Sequence, residues 1–228
     1  VLAGDAEPVG NLVYDGTAFR LVSTELSVIS QQAVNSSGRI AVAGYPDGLS
    51  NGPFRLLLET PSGDLKLIAV QGSAAPAGLG GNVTSITLRG ITESGSAIFL
   101  AGVNGGSTPL ALLVSDGDKT SAIARSNDVV EGGSRLTLRT AASNYFVNDA
   151  GEVVFAADAS GGPAGIWTAS PSSSPVAVVR LNDSTGTPLN GTFTGNVMPR
   201  GFNSAGQVLF SANIAGGSST HGLFLKDR

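Results

Sequence analysis

Four polar side chains stand at equivalent places in this sequence and are of types that bind anions. Gln32, Arg89, Tyr145 and Arg200 each lie three residues before a recurring turn motif. Two guanidinium groups that oppose one another attract a carboxylate or another anion, because each presents several N–H donors in a rigid fork. These four residues are therefore the candidate ligand site of the chain. The alternative is that both arginines pair with nearby acids or point into solvent.

The other residue types give little support to catalysis. Nucleophilic catalysis needs a nucleophile, a base and a group that orients the base, yet His221 is the only histidine and cysteine is absent. The same counts leave neither an imidazole cluster nor a thiolate to bind a metal ion. We therefore predict that the chain is not an enzyme and that it has no cofactor and no metal site.

The carboxylates are interpreted as turn residues, because an aspartate in a turn hydrogen-bonds its own backbone. Those expected in turns are Asp47, Asp64, Asp116, Asp118, Asp149 and Asp158. A further set follows the predicted fourth strands at equivalent places, and its members are Asp5, Asp128 and Asp183. The alternatives are a pair of carboxylates that hydrolyses glycosides or, for the second set, single weak cation sites.

Composition and charge narrow the function classes further. Charged residues make up 13% of the chain and the net charge is −4, so the basic surface that a nucleic acid requires is missing. No apolar run approaches the roughly 20 residues that a membrane-spanning helix needs. A neutral surface rich in Gly, Ser, Thr and Asn, without cysteine, favours an extracellular or cell-surface protein of a bacterium. We expect the protein to carry an export signal that this sequence, which starts at Val1, does not include.

The elements that must position these residues are set by an internal repeat. Its marker is Asn/Thr-x-x-Gly followed by an apolar strand, and the four copies are separated by 57, 56 and 55 residues. They are Asn35–Gly38, Thr92–Gly95, Asn148–Gly151 and Asn203–Gly206. A repeat of this length is typical of solenoids and propellers, in which each unit buries its apolar surface against its neighbours.

Each unit contains the pattern of four β-strands. In the second unit, alternating apolar and β-branched residues predict strands at 83–91, 96–102, 110–115 and 121–126. Four short antiparallel strands followed by a longer link describe a propeller blade. We therefore predict a single all-β domain over residues 1–228, a four-bladed β-propeller with four antiparallel strands in each blade. The predicted blades cover 26–71, 83–126, 139–181, and 196–228 together with 1–4.

The two ends of the sequence indicate how such a ring closes. Residues 1–34 and 203–228 together make 60 residues, which is one further repeat split between the termini. Val1–Gly4 resembles the end of a fourth strand, so we expect this N-terminal strand to complete the last blade and to remove two free sheet edges. In the closed ring the first strand of each blade lines a central channel, and Arg89 and Arg200 oppose one another across it.

The pattern Asn-x-x-Gly-x-x-x-Phe, followed by Gly-[Leu/Ile]-[Phe/Trp] about 15 residues on, resembles an exported bacterial tandem-repeat family named for its NxxGxxxF motif. The best matches begin at Asn148 and Asn203 and continue to Gly165-Ile166-Trp167 and Gly222-Leu223-Phe224. The second unit has Thr92 in place of Asn, and the first has Val42 in place of Phe. The resemblance covers essentially the whole chain and implies a propeller-like, exported protein, in a family whose activity is not defined and whose members carry surface anchors.

These observations favour a non-catalytic structural or interaction module of an exported or cell-surface protein. One alternative is a carbohydrate-binding propeller, although Trp167 and the three motif phenylalanines are expected to pack between blades. A second alternative is an extracellular filament, in which the short strand of residues 1–5 completes the blade of a neighbouring copy. The expected partner is a protein, a glycan or another copy of the chain, and the expected state is a monomer or a strand-exchanged assembly.

Overall fold

The protein is built almost entirely from antiparallel β-sheets. The computed structural model describes residues 11–14, 19–22, 26–46, 52–76, 78–141 and 144–227. Sixteen strands form four antiparallel sheets of three to five strands, so the predicted all-β class is confirmed. Within these described ranges the helical content is a 3₁₀ turn at Glu131–Gly133 and one further 3₁₀ residue, Asn144, and no helix has the length and apolar character to cross a bilayer.

The first two sheets each contain four strands that pair in chain order. The first sheet consists of β3 (Val28–Val34), β4 (Ile40–Tyr45), β5 (Arg55–Glu59) and β6 (Leu65–Val70). The second consists of β7 (Asn82–Ile91), β8 (Ala97–Asn104), β9 (Leu110–Ser115) and β10 (Thr120–Arg125). A hairpin of β1 (Asn11–Tyr14) and β2 (Phe19–Val22) precedes them as a two-stranded sheet of its own.

The third and fourth sheets depart from the four-strand pattern. The third consists of β11 (Arg135–Leu138), β12 (Tyr145–Val147), β13 (Val153–Ser160), β14 (Gly162–Ser170) and β15 (Ser173–Arg180). Its first strand is divided in two, because β11 and β12 both pair with β13. The fourth sheet has three strands, which are β16 (Thr192–Phe202), β17 (Val208–Ala215) and β18 (His221–Lys226).

The links between sheets are hydrogen-bonded turns of one kind. After β10 and β15 the chain turns through Asn127 and Asn182, whose φ angles are 77° and 72°. The aspartate that follows each asparagine accepts a hydrogen bond from the last backbone N–H of the preceding strand, at 2.7 Å for Asp128 and 2.8 Å for Asp183. These two acids are therefore turn residues, as expected, whereas Asp5 lies outside the described residues.

Both faces of an inner sheet are buried. Successive side chains of a strand point to opposite faces, and in β8 both alternating sets are inaccessible to solvent. Phe99 packs in a cluster with residues of the first sheet, whereas Ile98 and Leu100 pack with residues of the third. We call the face that the next sheet covers the forward face, and the opposite face the rear face.

The motif phenylalanine is a rear-face residue. Phe99, Phe155 and Phe210 are 1%, 0% and 2% exposed, and each packs against the forward face of the preceding sheet. Trp167 lies beside Phe155 in the register of β13 and β14 and is 1% exposed. The aromatic positions of the repeat therefore hold neighbouring sheets together, as the sequence predicts.

The predicted closure of the ring rests on residues outside the described part of the chain. Val1–Gly4 is not described, and the β1–β2 hairpin pairs with none of the four larger sheets. In a closed four-bladed ring the forward face of the fourth sheet would meet the rear face of the first. Leu223 and Leu225 on that forward face are instead 65% and 63% exposed. The structure thus shows a stack of four sheets, and the closed propeller stays a prediction.

Candidate functional site

The four predicted ligand residues lie on the first strands of their sheets. Gln32 is on β3, Arg89 on β7, Tyr145 on β12 and Arg200 on β16. The two arginines stand at β-bulges, where the register shifts between Leu88 and Gly90 and between Pro199 and Gly201. A bulge re-aims the side chain that it carries, so the equivalence of Arg89 and Arg200 extends to the local backbone.

Two of the four residues are in contact. The guanidinium carbon of Arg89 lies 4.6 Å from the ring centroid of Tyr145, which is within the range of a cation–π interaction. Arg89 Nη2 also donates to the carbonyl oxygen of Thr140 at 2.8 Å, and Tyr145 Oη donates to the carbonyl oxygen of Arg139 at 2.6 Å. This contact fastens the first strand of the second sheet to that of the third.

Arg200 and Gln32 stand apart from this pair. Arg200 is exposed, and its Nε donates to Ser211 Oγ at 2.9 Å within the fourth sheet. Gln32 is exposed on β3. Among the described residues no hydrogen bond or ion pair joins either of them to Arg89 or Tyr145, so a shared site for one anion at all four positions stays a prediction.

An ion pair that the sequence did not indicate lies next to the Arg89–Tyr145 contact. Arg139 Nε donates to Asp158 Oδ2 at 3.2 Å, and a second guanidinium nitrogen binds the other carboxylate oxygen. The expectation that Asp158 lies in a turn was wrong, because it lies within β13, where it faces Thr137 of β11. The segment that interrupts the first strand of this sheet begins at Arg139. Only the strand register brings the two side chains together, and no sequence motif marks that register.

Burial governs the ionisation of this cluster. Loss of contact with water lowers the pKa of Arg89, yet the guanidinium group stays charged because arginine is not deprotonated in proteins. The hydrogen bond with Asp158 raises the pKa of Arg139. Burial raises the pKa of Tyr145 to about 12, and the charge of Arg89 opposes that shift. Tyr145 is therefore a neutral hydrogen-bond donor at physiological pH, and the cluster behaves as a permanent structural contact.

The recurring turn motif forms the most regular polar arrangement in the structure. In every copy the backbone N–H of the glycine donates to the carbonyl oxygen of the first motif residue, at 2.9 to 3.1 Å. The side-chain oxygen of that first residue accepts from the backbone N–H four residues on, at 2.9 Å for Asn35, Thr92 and Asn203 and 3.0 Å for Asn148. The motif thus encodes a self-contained turn.

Hydrogen bonds also join each motif turn to the next. Asn35 Nδ2 donates to the carbonyl oxygen of Thr92 at 2.9 Å, and Asn148 Nδ2 donates to that of Asn203 at 3.3 Å. The side chain of Thr92 has no amide group to donate. At this position the backbone N–H of Glu93 donates to the carbonyl oxygen of Asp149 at 3.2 Å. Asparagine suits the first motif position because its oxygen stabilises its own turn and its nitrogen reaches the next one.

The motif glycine is required by the turn itself and by the close contact between consecutive motif turns. Gly95 and Gly151 have φ angles of +84° and +79°, which favour glycine over any residue with a Cβ. A Cβ at Gly95 would overlap the guanidinium group of Arg39, and one at Gly151 would lie 2.8 Å from Thr92 Cγ2. Each of these glycines therefore lets the preceding repeat come close.

The remaining reactive side chains have structural partners or stand alone. His221 is exposed at the start of β18, and its ring nitrogen Nδ1 lies within hydrogen-bond distance of Thr220 Oγ1, at 3.2 Å. Three described acids form ion pairs with basic residues of other strands or sheets: Asp118 with Lys66, Asp158 with Arg139, and Glu131 with Arg180. The described residues contain no group of three acids or histidines that could hold a metal ion.

An open groove recurs at the outer edge of the stack, between the fourth strand of one sheet and the outer hairpin of the next. Between the first and second sheets it has a volume of about 380 Å³ and includes Ile68, Pro76 and Lys119. Between the second and third sheets it has a volume of about 360 Å³ and includes Asp128 and Ser172. These grooves were not predictable from the sequence, because their walls come from different repeats.

Substitutions of the motif asparagines should separate the two kinds of hydrogen bond. Asn35→Ala removes the bonds within its turn and the bond to the next turn, and we expect it to cost about 2–3 kcal/mol in the free energy of unfolding. Asn203→Ala is the matched control, because its side-chain amide bonds only Ala205 and Gln207 of its own turn, and should cost about 1 kcal/mol. Asn35→Thr copies Thr92 and should fall between them. Urea denaturation provides the measurement, and equal losses for the two alanine variants would contradict the bond between turns.

The shifted ionisation of Tyr145 predicts a pH dependence. A tyrosine in the unfolded chain ionises near pH 10, whereas the buried phenol stays protonated to about pH 12. The unfolded state therefore loses its proton first, and stability should fall as the pH rises from 10 to 12, by up to about 2–3 kcal/mol. The measurement is the free energy of unfolding against pH for the wild type and for Tyr145→Phe, whose curve lacks this contribution. Parallel curves for the two proteins would disprove the shift.

A family of proteins is similar in sequence to this chain. No curated protein has a sequence that matches it. A family model does match, over residues 8–228, and thus includes all four motif turns and both members of the Arg89–Tyr145 pair. The chain therefore belongs to this family, which is described as a family of unknown function, DUF7453.

Proposed function

We propose that this chain is a non-catalytic structural or interaction module of an exported or cell-surface protein. The observation that carries the proposal is the line of hydrogen bonds between successive motif turns. The polar groups that recur in every unit are engaged in turns and in contacts between sheets, whereas recurring groups in a catalytic or binding repeat would face a ligand. The polar residues that recur in the repeat therefore stabilise the stack of sheets.

The four sheets are proposed to be blades of a propeller-type stack. The pairing order supports this interpretation, because each sheet begins with a strand that packs against the first strand of the next sheet, as the Arg89–Tyr145 contact illustrates. The packing of the rear face of each sheet against the forward face of the preceding sheet supports it as well. A stack of this kind presents its loops and grooves at fixed intervals, which suits a partner that is itself repetitive or extended.

A partner of this module is proposed to bind at the outer grooves. They lie at equivalent places between the first and second sheets and between the second and third, and a volume of about 360 to 380 Å³ accommodates a side chain or a sugar ring. The walls combine apolar residues such as Ile68 and Ile123 with hydroxyl and charged groups. A protein partner is favoured over a glycan, because Trp167 and the motif phenylalanines are buried and are not available to stack on a sugar.

The filament alternative remains a separate proposal. It requires the strand of residues 1–5 to complete the sheet of a neighbouring copy, and those residues lie outside the described part of the chain. The fourth sheet has three strands, and the outer edge of β18 pairs with no described strand. That edge is the place where an exchanged strand would bind.

Localisation in the source cells tests the proposal. An antibody raised against the purified chain should detect the protein at the cell surface or in the medium, because a neutral surface rich in Gly, Ser, Thr and Asn and a sequence without cysteine favour an exported protein. Protease added to intact cells should remove the surface signal while a cytoplasmic marker stays intact. A signal that is confined to the cytoplasmic fraction and resists the protease would overturn the proposal of an exported module.

A further inference from the structure

Asparagine followed by glycine is a chemically reactive pair, and the described part of the chain holds two such pairs in different surroundings. They are Asn104–Gly105, where β8 ends, and Asn190–Gly191, directly before β16. Glycine has no side chain to shield its backbone nitrogen, and that nitrogen can attack the side-chain amide carbon of the preceding asparagine. Both asparagines are exposed, so contact with solvent does not distinguish the two pairs.

Hydrogen bonds hold the second pair on both sides of the bond that would react. The backbone N–H of Gly191 donates to Thr185 Oγ1 at 2.9 Å, and the backbone N–H of Thr185 donates to the carbonyl oxygen of Gly191 at 2.9 Å. Asn190 donates from its backbone N–H to the carbonyl oxygen of Gly186 at 2.8 Å and from Nδ2 to that of Pro188 at 3.4 Å. The attacking nitrogen would first have to leave Thr185.

The first pair lacks these restraints. Within the part of the chain that the structure describes, neither the side chain of Asn104 nor the backbone N–H of Gly105 makes a hydrogen bond. Asn104 is the last residue of β8 and pairs with Asn82, the first residue of β7, so it lies at the open end of the ladder. Local opening at such an end has a low free energy. The Gly105 nitrogen is therefore free to approach the Asn104 side chain.

We propose that Asn104 is a site of spontaneous deamidation and that Asn190 is protected from it. The backbone nitrogen of Gly105 loses its proton and bonds to Cγ of Asn104, the bond from Cγ to Nδ2 breaks, and ammonia leaves with a proton. The product is a cyclic imide. Water then opens the ring at one of its two carbonyl carbons, which gives aspartate or isoaspartate. Each conversion replaces a neutral amide by a carboxylate and adds one negative charge.

The conversion changes the main chain at a closely packed contact. A Cβ on Gly81 would lie 1.7 Å from the carbonyl oxygen of Asn104, and one on Gly106 would lie 2.4 Å from that of Leu79. The hairpin after β8 thus packs directly on the link that leads into β7. Isoaspartate places the side-chain methylene in the main chain and displaces this carbonyl, so we expect the isoaspartate form to unfold at a lower urea concentration than the original protein.

The test is the rate of conversion at each site during incubation of the full folded chain in mildly alkaline buffer. Trypsin cleaves after lysine and arginine, which places Asn104 in the peptide 90–119 and Asn190 in the peptide 181–200. Mass spectrometry of the peptides should show conversion roughly tenfold faster at Asn104, because the loss of a neutral hydrogen bond reduces the reactive population by about that factor. In concentrated urea the two sites should react at similar rates, since glycine follows both.

Two variants separate the local hydrogen bond from general stability. Asn104→Gln lengthens an exposed side chain by one methylene, so the five-membered ring cannot form, and conversion in the peptide 90–119 should be lost. Thr185→Val removes the oxygen that holds the Gly191 nitrogen and keeps the shape of the side chain. It should raise the rate at Asn190 towards that of Asn104 and leave the rate at Asn104 unchanged.

Four results would overturn the proposal. They are equal rates at the two sites in the folded wild type, faster conversion at Asn190, a rate at Asn190 that Thr185→Val does not change, and a Thr185→Val variant that accelerates both sites equally. The last result would mean that global unfolding controls the reaction. A third pair begins at Asn51, which lies outside the described residues, and its tryptic peptide, 40–55, is separate from the other two.

Discussion

The constraint on which this structure depends is that each sheet has two apolar faces and cannot cover either by itself. The inner strands show it most clearly, because every residue of β8 from Ala97 to Val103 is buried. A sheet of this kind buries both of its faces only when it lies between two others. The repeat of about 56 residues follows from this requirement, since one unit must supply both a rear face with a large aromatic residue and a forward face that receives the next one.

The polar part of the motif solves a second problem, which is how consecutive turns approach without leaving buried groups unpaired. An asparagine has an oxygen for its own turn and a nitrogen for the next, and the glycine removes the Cβ that would separate them. Where Thr92 replaces asparagine, the link passes to a backbone N–H of Glu93. The turn geometry is thus kept in all four units, while the bond between turns tolerates a different donor.

The sequence predicts those parts of the structure that are encoded locally. Alternation and turn residues located the strands and the four motif turns, and the burial of Phe99, Phe155 and Trp167 followed from their place in the repeat. The division of the third sheet's first strand into β11 and β12 was not predictable, because nothing in the composition of that segment marks it. The ion pair of Arg139 with Asp158 depends on the register between β11 and β13, which is fixed by packing. Equivalence of sequence position placed Arg89 and Tyr145 on neighbouring strands, and the bulge and the divided strand decide which side chains actually meet.

Amide hydrogen exchange of the monomeric chain tests the stacking account most directly, because it compares a sheet that is covered on two faces with one that is covered on one. The amides of β8 should exchange only through global unfolding, whereas those of β17 should exchange through local openings of lower free energy. Equal protection of β8 and β17 in the monomer would contradict the account. It would mean that the forward face of the fourth sheet is covered within one chain, as closure of the ring requires.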